Sequence, residues 1–382
     1  MKIGIDISQI VHGTGVSFYT RSLVKALAKI DKKNEYILFG GSWRSKNILQ
    51  EFTTEIRKAN KNFNSKIFAL PPSIAEPVWN RFRLLPIEKL IGPIDVFHFS
   101  DWIQPPTRAA KVTTIHDFGF LKFPDVAHPK IMAVMKRKLS LVRKECDLII
   151  AVSQSTKKDA VTFLEIPAEK IRVIYEAGPE EFKKTNQEEV EKIKKKYKIK
   201  GNYLLSVATL EPRKNLKRII EAFKKLKTGK TQKLKLVIVG KFGWGEIKIS
   251  NHESQDVVFT GYVSDQDLAS LYSGATCLVY ASLYEGFGQP ILEAMACGCP
   301  VVTSNVSSMP EIAGEAAVLV DPEKVEDITR GIQEALKNRE KLIEKGKARA
   351  QEFSWEKTAR ETLKVYQEAC NTETQNKKET QR

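Results

Sequence analysis

Short apolar segments rich in β-branched residues alternate with helix-patterned segments along most of this 382-residue chain. Alternation of this kind forms parallel sheets that are covered by helices on both faces. Apolar residues recur every three to four positions in Val16–Lys29 and Leu216–Leu226, which predicts helices there. The predicted strands form two series: Ile3–Ile7, Tyr36–Phe39, Val96–Phe99, Val112–Ile115, Leu148–Val152 and Val173–Ile174, then Tyr203–Val207, Leu234–Val239, Val257–Thr260, Thr276–Tyr280 and Val301–Thr303.

The chain is too long for one ordinary α/β domain and has a length that suits two. A turn at Gly178-Pro179 separates the two series of strands. We therefore predict a first domain over residues 1–178 and a second over residues 179–350. We expect a helix over 351–370 to pack back on the first domain, and the polar tail 371–382 to be disordered.

Cysteine content and net charge exclude several classes of protein. Five cysteines, an odd number in a long chain, argue against a disulfide framework. Cys297 and Cys299 lack the second cysteine pair or nearby histidine of a zinc site, so we interpret them as buried thiols. The net charge of +16 suits an anionic membrane surface or a phosphorylated substrate. We expect no nucleic-acid partner, because no helix-turn-helix, zinc-finger or RNA-binding motif is present.

The N-terminal segment predicts a cytoplasmic protein. It reads directly as a strand, without the basic head and apolar middle of a signal peptide. The sequence also has no run of about twenty apolar residues, the length that a membrane-spanning helix needs.

The most specific pattern lies in a loop between a buried strand and a helix. Gly286 and Gly288 let the backbone approach a ligand closely, and Pro290 suits the first turn of the helix. Free N–H groups at such a helix start favour a phosphate. Two carboxylates, Glu285 and Glu293, can accept hydrogen bonds from sugar or ribose hydroxyls; the alternative is that both are solvated helix-start residues.

This loop and helix have the pattern Glu-Gly-Phe-Gly-x-Pro-x-x-Glu-Ala-Met-Ala-x-Gly-x-Pro-Val, which resembles the signature of retaining glycosyltransferase family 4. The resemblance runs from residue 3 to about 365 and is densest over 203–321. It implies the GT-B fold, in which two Rossmann-like, doubly wound parallel-sheet domains face a cleft, here with a C-terminal helix.

The resemblance also implies roles for individual residues. Glu285 would hold the hydroxyls of the transferred sugar, and Glu293 would hold the ribose of the donor. The backbone around Gly288 and Gln289 would meet the distal phosphate. The rest of the implied donor-binding loop is Gly286 and Phe287.

A second loop, Glu-Pro-Arg-Lys-Asn at 211–215, joins a predicted strand to a helix. Arg213 and Lys214 stand where the helix begins, and two cations there can neutralise a diphosphate; the alternative is a basic surface turn. Family members commonly have Gly-Arg-Leu just before this loop, whereas this chain has Ala208-Thr209-Leu210, so Arg213 is the candidate replacement. The Glu-Pro-Arg-Lys-Asn form resembles a branch that includes many mannosyltransferases of surface polysaccharides.

Four weaker elements complete the predicted site. His116 ends a strand in an element that resembles the family's Thr-x-His-Asp, whose histidine reaches the donor sugar; a structural histidine is the alternative. Asp117 should point to the opposite side. The remaining candidates follow other strands: Gly13 and Gly15 lie in the first loop, and Gly240 follows a later strand. Tyr262 and Val263 lie in a segment that lines the nucleotide base in the family; the alternative for Tyr262 is a core position. Ser264 is the expected helix cap there.

The resemblance implies a retaining, metal-independent hexosyltransferase without a cofactor, since we expect no Asp-x-Asp sequence to serve as a metal site. Its donor would be a nucleotide-diphosphate sugar, with GDP-mannose as the expected one, and its acceptor a glycan or lipid-linked saccharide in surface polysaccharide synthesis. The alternatives are a UDP-sugar-dependent glycosyltransferase and a nucleotide-sugar epimerase on the same fold. A Rossmann dehydrogenase would need Gly-x-Gly-x-x-Gly after the first strand, and residues 13–18 lack it.

Two segments mix apolar and basic residues, Trp79–Leu85 and Met135–Lys144. Such segments can rest on anionic lipid, which would associate the protein with the inner face of a membrane. The alternative is an ordinary amphipathic helix that covers a sheet.

Overall fold

The computed structural model describes residues 1–100, 102–124, 129–227, 229–241 and 255–380. These residues form two α/β units. The first contains residues 1–118, 129–176 and 355–380, and the second contains residues 119–124 and the described part of 177–354. The division therefore falls after Glu176 rather than after residue 178, because Gly178 already lies against Leu292 of the second unit.

The first unit is built on a sheet whose described strands all run parallel, in the order β3-β2-β1-β4-β5-β6-β7. Its edge strand β3 was not among the predicted strands, because its middle is polar and exposed and shows no apolar run. The strands are β1 (Lys2–Asp6), β2 (Glu35–Gly41), β3 (Phe63–Phe68), β4 (Val96–Phe99), β5 (Ala110–Ile115), β6 (Leu148–Ala151) and β7 (Ile171–Val173).

The second unit has a parallel sheet in the order β10-β9-β8-β11-β12-β13 over the described residues. The strand order reverses between the neighbours β8 and β11, and ligands of open α/β sheets bind beyond the carboxyl ends of strands at such a reversal. The strands are β8 (Tyr203–Val207), β9 (Lys235–Val239), β10 (Val257–Gly261), β11 (Cys277–Tyr280), β12 (Val301–Ser304) and β13 (Val318–Val320).

Helices cover the sheets, and several begin at a side-chain cap. Thr14 accepts a hydrogen bond from the N–H of Ser17 at the first helix, and Ser264 accepts one from the N–H of Asp267, as predicted. The helices are α1 (Gly15–Ile30), α2 (Lys46–Ala59), α3 (Pro72–Glu76), α4 (Glu88–Ile91), α5 (Gly119–Lys122), α6 (Pro129–Glu145), α7 (Gln154–Leu164), α8 (Gln187–Lys196), α9 (Leu216–Leu226), α10 (Asp265–Gly274), α11 (Gln289–Ala296), α12 (Met309–Ala313), α13 (Val325–Lys337), α14 (Arg339–Gln351) and α15 (Trp355–Thr380).

The last helix, α15, belongs to the first unit. Thr358 donates a hydrogen bond to the carbonyl of Tyr175 at 2.7 Å, and the hydroxyl of Tyr366 lies 2.7 Å from Nδ1 of His98. The helix continues to Thr380, past the residue 370 at which the sequence analysis ended it, because residues 371–380 contain no glycine or proline to stop it. Residues 381–382 of the expected disordered tail lie outside the described residues.

Candidate active site

The second unit gathers three predicted residues into one ion cluster at the reversal between β8 and β11. Lys214, which follows β8, places Nζ 2.7 Å from Oε1 and 2.9 Å from Oε2 of Glu285. Arg213 places Nη1 2.9 Å from Oε2 of the same carboxylate. Glu285 follows β11 and is only 6% exposed, so it is not a solvated helix-start residue. The alternative interpretation of residues 211–215 as a basic surface turn is also wrong, because the two cations converge on one buried acid.

A second carboxylate, Glu211, holds the other side of the arginine. Its Oε1 accepts hydrogen bonds from Nε of Arg213 at 3.1 Å and from Nη2 at 2.6 Å. The cluster thus contains two cations and two acids, and Arg213 is fixed between them. Glu211 belongs to the Glu-Pro-Arg-Lys-Asn motif but had no predicted role; its position two residues before Arg213 was the available signal.

The charge of Glu285 depends on these cations. Burial raises its pKa, but Lys214 and Arg213 outweigh burial and hold the pKa at about 2. Glu285 is therefore ionised at neutral pH, and the positive charge of Lys214 and Arg213 is offset by carboxylates while no other anion is bound.

Asn215 shapes the turn that carries the two cations. Its φ of 59° is in the left-handed region, which asparagine tolerates better than most residues. Its side-chain amide donates to the carbonyl of Ala281 at 2.9 Å and to that of Pro322 at 2.7 Å. These bonds tie the turn after β8 to the end of β11, which explains why Arg213 and Lys214 reach Glu285.

Two serines that the sequence analysis missed hold the loop of Glu285. Ser307 donates to the carbonyl of Glu285 and accepts from its N–H at 3.2 Å. Ser308 donates to the carbonyls of Glu285 at 2.9 Å and of Phe287 at 2.8 Å. The signal was a Ser-Ser pair just before Pro310-Glu311, a typical helix-start composition.

The predicted phosphate-binding helix is α11. Gly288 is its N-cap with φ 102°, a conformation that favours glycine, and Pro290 lies in the first turn. Gln289 is the first helical residue, and the buried ring of Phe287 packs edge-on against Phe353 with centroids 6.1 Å apart. Gly286–Gln289 directly follow Glu285 in the chain, so the loop of Glu285 leads into the first turn of α11.

Glu293 lies one turn into α11, and its environment differs from that of Glu285. Its Oε2 accepts a hydrogen bond from the hydroxyl of Tyr272 at 2.9 Å. Burial, together with the negative charges of Asp265 and Glu181, raises its pKa to about 7 although the tyrosine lowers it. Glu293 is therefore poised to change its protonation state near neutral pH.

The residues expected around the nucleotide base differ in their exposure to solvent. Tyr262 is 66% exposed, so it is not core, and the Lys241 ammonium lies 4.5 Å from its ring centroid. Val263 is buried. A Cβ at Gly240 would lie 1.8 Å from the carbonyl oxygen of Ala208, so the close approach of two strand ends already requires this glycine.

His116 lies in the first unit at the end of β5, as predicted, and its Nδ1 is 3.1 Å from Oε1 of Glu176. Tyr19 packs edge-on against its ring with centroids 4.7 Å apart, and the Tyr19 hydroxyl is 3.1 Å from Oγ1 of Thr114. Glu176 was not among the predicted residues, because 60 residues separate it from the histidine.

Gly13 and Gly15 precede and begin α1 on either side of the capping residue Thr14. Gly13 has φ 63°, and a Cβ at either glycine would meet nothing within 4 Å. The space beside this loop is therefore open.

The cysteines and possible metal ligands of the described residues form neither a disulfide nor a metal site. Cys146, Cys277, Cys297 and Cys299 are buried free thiols. Within the described ranges, no group of three histidine, cysteine or acidic side chains is arranged to hold a metal ion.

Comparison with known proteins decides the family. Residues 13–177 match the family described as Glycosyltransferase Family 4, and residues 188–352 match Glycosyl transferases group 1. O-antigen chain mannosyltransferase B of Escherichia coli is 30% identical over 370 residues, which cover 92% of this chain and 96% of that protein. The chain belongs to the GT-B glycosyltransferases of the family 4 type.

Other relatives of this glycosyltransferase agree with that assignment. Serotype-specific mannosyltransferase WbdA of Escherichia coli is 32% identical over 228 residues, covering 56% of this chain and 28% of WbdA. Anabaena HepE, solved in complex with UDP and glucose, superposes with a TM-score of 0.66 at 16% identity, covering 96% of this chain and 100% of HepE. No helix among the described residues of this glycosyltransferase is long and apolar enough to cross a bilayer.

Proposed function

We propose that this glycosyltransferase is a retaining, metal-independent hexosyltransferase that transfers mannose from GDP-mannose to a glycan or lipid-linked saccharide during surface polysaccharide synthesis. Its relatives support the choice of sugar and of surface polysaccharide synthesis, since O-antigen chain mannosyltransferase B and WbdA are both mannosyltransferases. The complex of HepE with UDP and glucose supports a nucleotide sugar as the donor. We also propose that the enzyme is cytoplasmic and acts at the inner face of a membrane.

The observation that carries the proposal is the cluster of Lys214, Arg213 and Glu285 beside the start of α11. The N–H groups of a helix start favour a diphosphate, and Lys214 and Arg213 add hydrogen-bond donors beside it, although Glu285 and Glu211 offset their charge. Glu285 is ionised and can accept hydrogen bonds from sugar hydroxyls without donating any. Sugar and diphosphate are adjacent in a nucleotide sugar, so one small cluster would contact both sides of the bond that breaks.

In the proposed reaction the sugar–phosphate bond breaks while negative charge grows on the leaving diphosphate. Lys214, Arg213 and the helix-start N–H groups stabilise that charge where it develops. The acceptor hydroxyl attacks from the face that the diphosphate leaves, and its proton passes to the leaving phosphate, so the anomeric configuration is retained. His116 would contact the donor sugar, and Glu293 the ribose.

The donor is tested first by thermal unfolding in the presence of a panel of nucleotide sugars. A ligand at 100 times its dissociation constant stabilises the folded state by about 2.7 kcal/mol. We expect GDP-mannose to raise the unfolding temperature most. Stabilisation by a UDP-sugar instead would overturn the guanosine assignment and leave the enzyme class intact.

The class is tested by product analysis with and without acceptor. A glycosyltransferase forms a glycoside only when a saccharide acceptor is present, and the anomeric configuration of that product reports retention. Conversion of the nucleotide sugar to its epimer without acceptor would replace this proposal by the epimerase alternative.

A further inference from the structure

A short turn in the first unit exposes three large apolar side chains next to one another. The turn follows a π-helical turn at Pro77–Arg81 and comprises residues 82–85, called the apolar turn below. Phe82 is 58% exposed, Leu84 59% and Leu85 45%. This segment is not the amphipathic helix considered as an alternative, because Trp79 and Asn80 are buried but the apolar residues after them face solvent.

The apolar turn is held in this conformation by its own backbone and by buried partners. Arg83 has φ 55° and Leu85 φ 57°, values that are uncommon for residues with a side chain and are strained. The N–H of Leu84 donates to the carbonyl of Val78 at 2.9 Å, and Nε1 of Trp79 donates to the carbonyl of Leu85 at 2.9 Å.

Arg83 anchors the apolar turn from inside. Its guanidinium donates to the carbonyl of Trp79 at 2.8 Å, to the carbonyl of Gln104, and to the carboxylate of Glu145. The structure therefore fixes an unfavourable backbone that keeps three apolar side chains in water. Strain maintained by surrounding contacts is typical of functional segments, and adjacent exposed apolar side chains mark interaction sites.

The surroundings of the apolar turn are positively charged. Helix α6 packs on the π-helical turn and carries six basic residues and one acidic residue. That acid, Glu145, is paired with Arg83, and Glu76 is paired with Arg137 of α6. The cations left exposed on these two elements include Arg81, Lys136 and Lys144.

We propose that the apolar turn inserts into the headgroup region of an anionic lipid bilayer, with the exposed cations of Arg81 and α6 on the lipid phosphates. A protruding apolar tip surrounded by basic residues fits a bilayer, which offers an apolar layer beneath negative headgroups. A nucleic acid would use the charges but not the apolar side chains. This inference rests on the membrane location in the proposed function and names the surface responsible for it, and it holds whichever sugar or nucleotide the enzyme uses.

The test is sedimentation of the full chain with vesicles, in the absence of any donor or acceptor. We expect binding to vesicles of phosphatidylcholine mixed with phosphatidylglycerol, weak binding to vesicles of phosphatidylcholine alone, and loss of binding as salt is raised. A triple variant, Phe82→Ser with Leu84→Ser and Leu85→Ser, is expected to lower the partition coefficient at least about tenfold, which corresponds to about 1.4 kcal/mol.

The matched control is Phe163→Ser on α7, since Phe163 is also a large apolar residue, 41% exposed, in the same unit. It should bind anionic vesicles as the parent does. A second variant, Lys136→Glu with Lys144→Glu, tests charge without altering the apolar turn, and it should also lose binding. Equal binding of the parent and the triple variant, or no vesicle binding by the parent, would overturn the proposal and point to a protein partner for this surface.

Discussion

Nδ1 of His116 lies 3.1 Å from Oε1 of Glu176, and only 7% of the glutamate side chain is exposed. An ionised carboxylate accepts but does not donate, so this contact favours the tautomer in which the proton is on Nδ1. The other ring nitrogen then carries a lone pair that can accept a hydrogen bond from a sugar hydroxyl. Glu176 is thus a positioning residue for His116.

Replacement of Glu176 by glutamine should impair this arrangement, because the amide can donate to Nδ1 and so favour the other tautomer. We expect kcat/KM to fall at least about tenfold, with a changed pH profile of kcat/KM between pH 5 and 8. Glu176→Asp keeps the acceptor and should recover part of the activity. A pH profile identical to that of the parent would show that Glu176 does not act through the histidine.

Lys214 and Glu285 depend on each other, which makes Lys214→Met an informative variant. Removal of the cation takes away charge stabilisation at the leaving phosphate, so we expect kcat to fall by about 10²-fold or more. It also leaves a buried carboxylate with one fewer partner, which should lower the free energy of unfolding by about 3 kcal/mol. Urea unfolding and steady-state kinetics measure the two effects.

The control for Lys214→Met is Lys217→Met, because Lys217 lies on the exposed face of α9 three residues further on. It should leave both kcat and the unfolding free energy unchanged within about 0.5 kcal/mol. If Lys214→Met retained full turnover with a saturating donor, Lys214 would have no part in stabilising the leaving group.

Much of this architecture could be predicted, because strand–helix alternation and loop composition are local signals. Gly288 and Pro290 identified the start of α11, and Ser264 identified the start of α10. The strand β13 was missed because three residues give too short an apolar run to recognise. Likewise, β3 is an edge strand, and one polar face leaves little to distinguish it from a loop.

Partners that are distant in sequence could not be predicted. Lys214 and Glu285 are 71 residues apart and meet because β8 and β11 are neighbours in the sheet. Tyr272 and Glu293 are 21 residues apart and meet because helices α10 and α11 pack together. The sequence therefore predicted which side chains can contact a donor, but not which of their charges are offset by other side chains of the protein. That distinction follows from packing β8 next to β11, a property of the whole unit.

The turn at Asn215 is expected to be a determinant of stability. Asn215→Ala removes two buried hydrogen bonds and leaves the carbonyls of Ala281 and Pro322 without these donors, which should lower the unfolding free energy by about 2–4 kcal/mol. It also puts a less tolerant residue at positive φ. Asn215→Gly loses the same hydrogen bonds, but glycine adopts a positive φ without strain. It should therefore be about 1 kcal/mol more stable than Asn215→Ala. Equal stability of the two variants would contradict this account of the turn.

The raised pKa of Glu293 predicts a pH dependence of donor binding. Its carboxyl has a pKa of about 7 in the folded protein against 4.5 for an ordinary glutamate, so the folded state holds the proton up to neutral pH. The unfolding free energy should therefore fall as pH rises from about 4.5 to 7, since the folded state binds more protons than the unfolded state. Ribose hydroxyls donate to the ionised form, so donor affinity should change in the opposite direction and increase as pH rises through 7.

Glu293→Gln separates this effect from the titration of other groups. Glutamine keeps an acceptor oxygen but does not titrate, so the variant should bind donor more weakly at pH 8 and lose the increase in affinity between pH 6 and 8. The hydrogen bond from Tyr272, in the last turn of α10, can still form, so α10 and α11 should stay packed together. Calorimetric titration with the donor at pH 6, 7 and 8 measures both quantities. A parent enzyme whose donor affinity does not vary with pH over this range would exclude Glu293 as the group that holds the ribose.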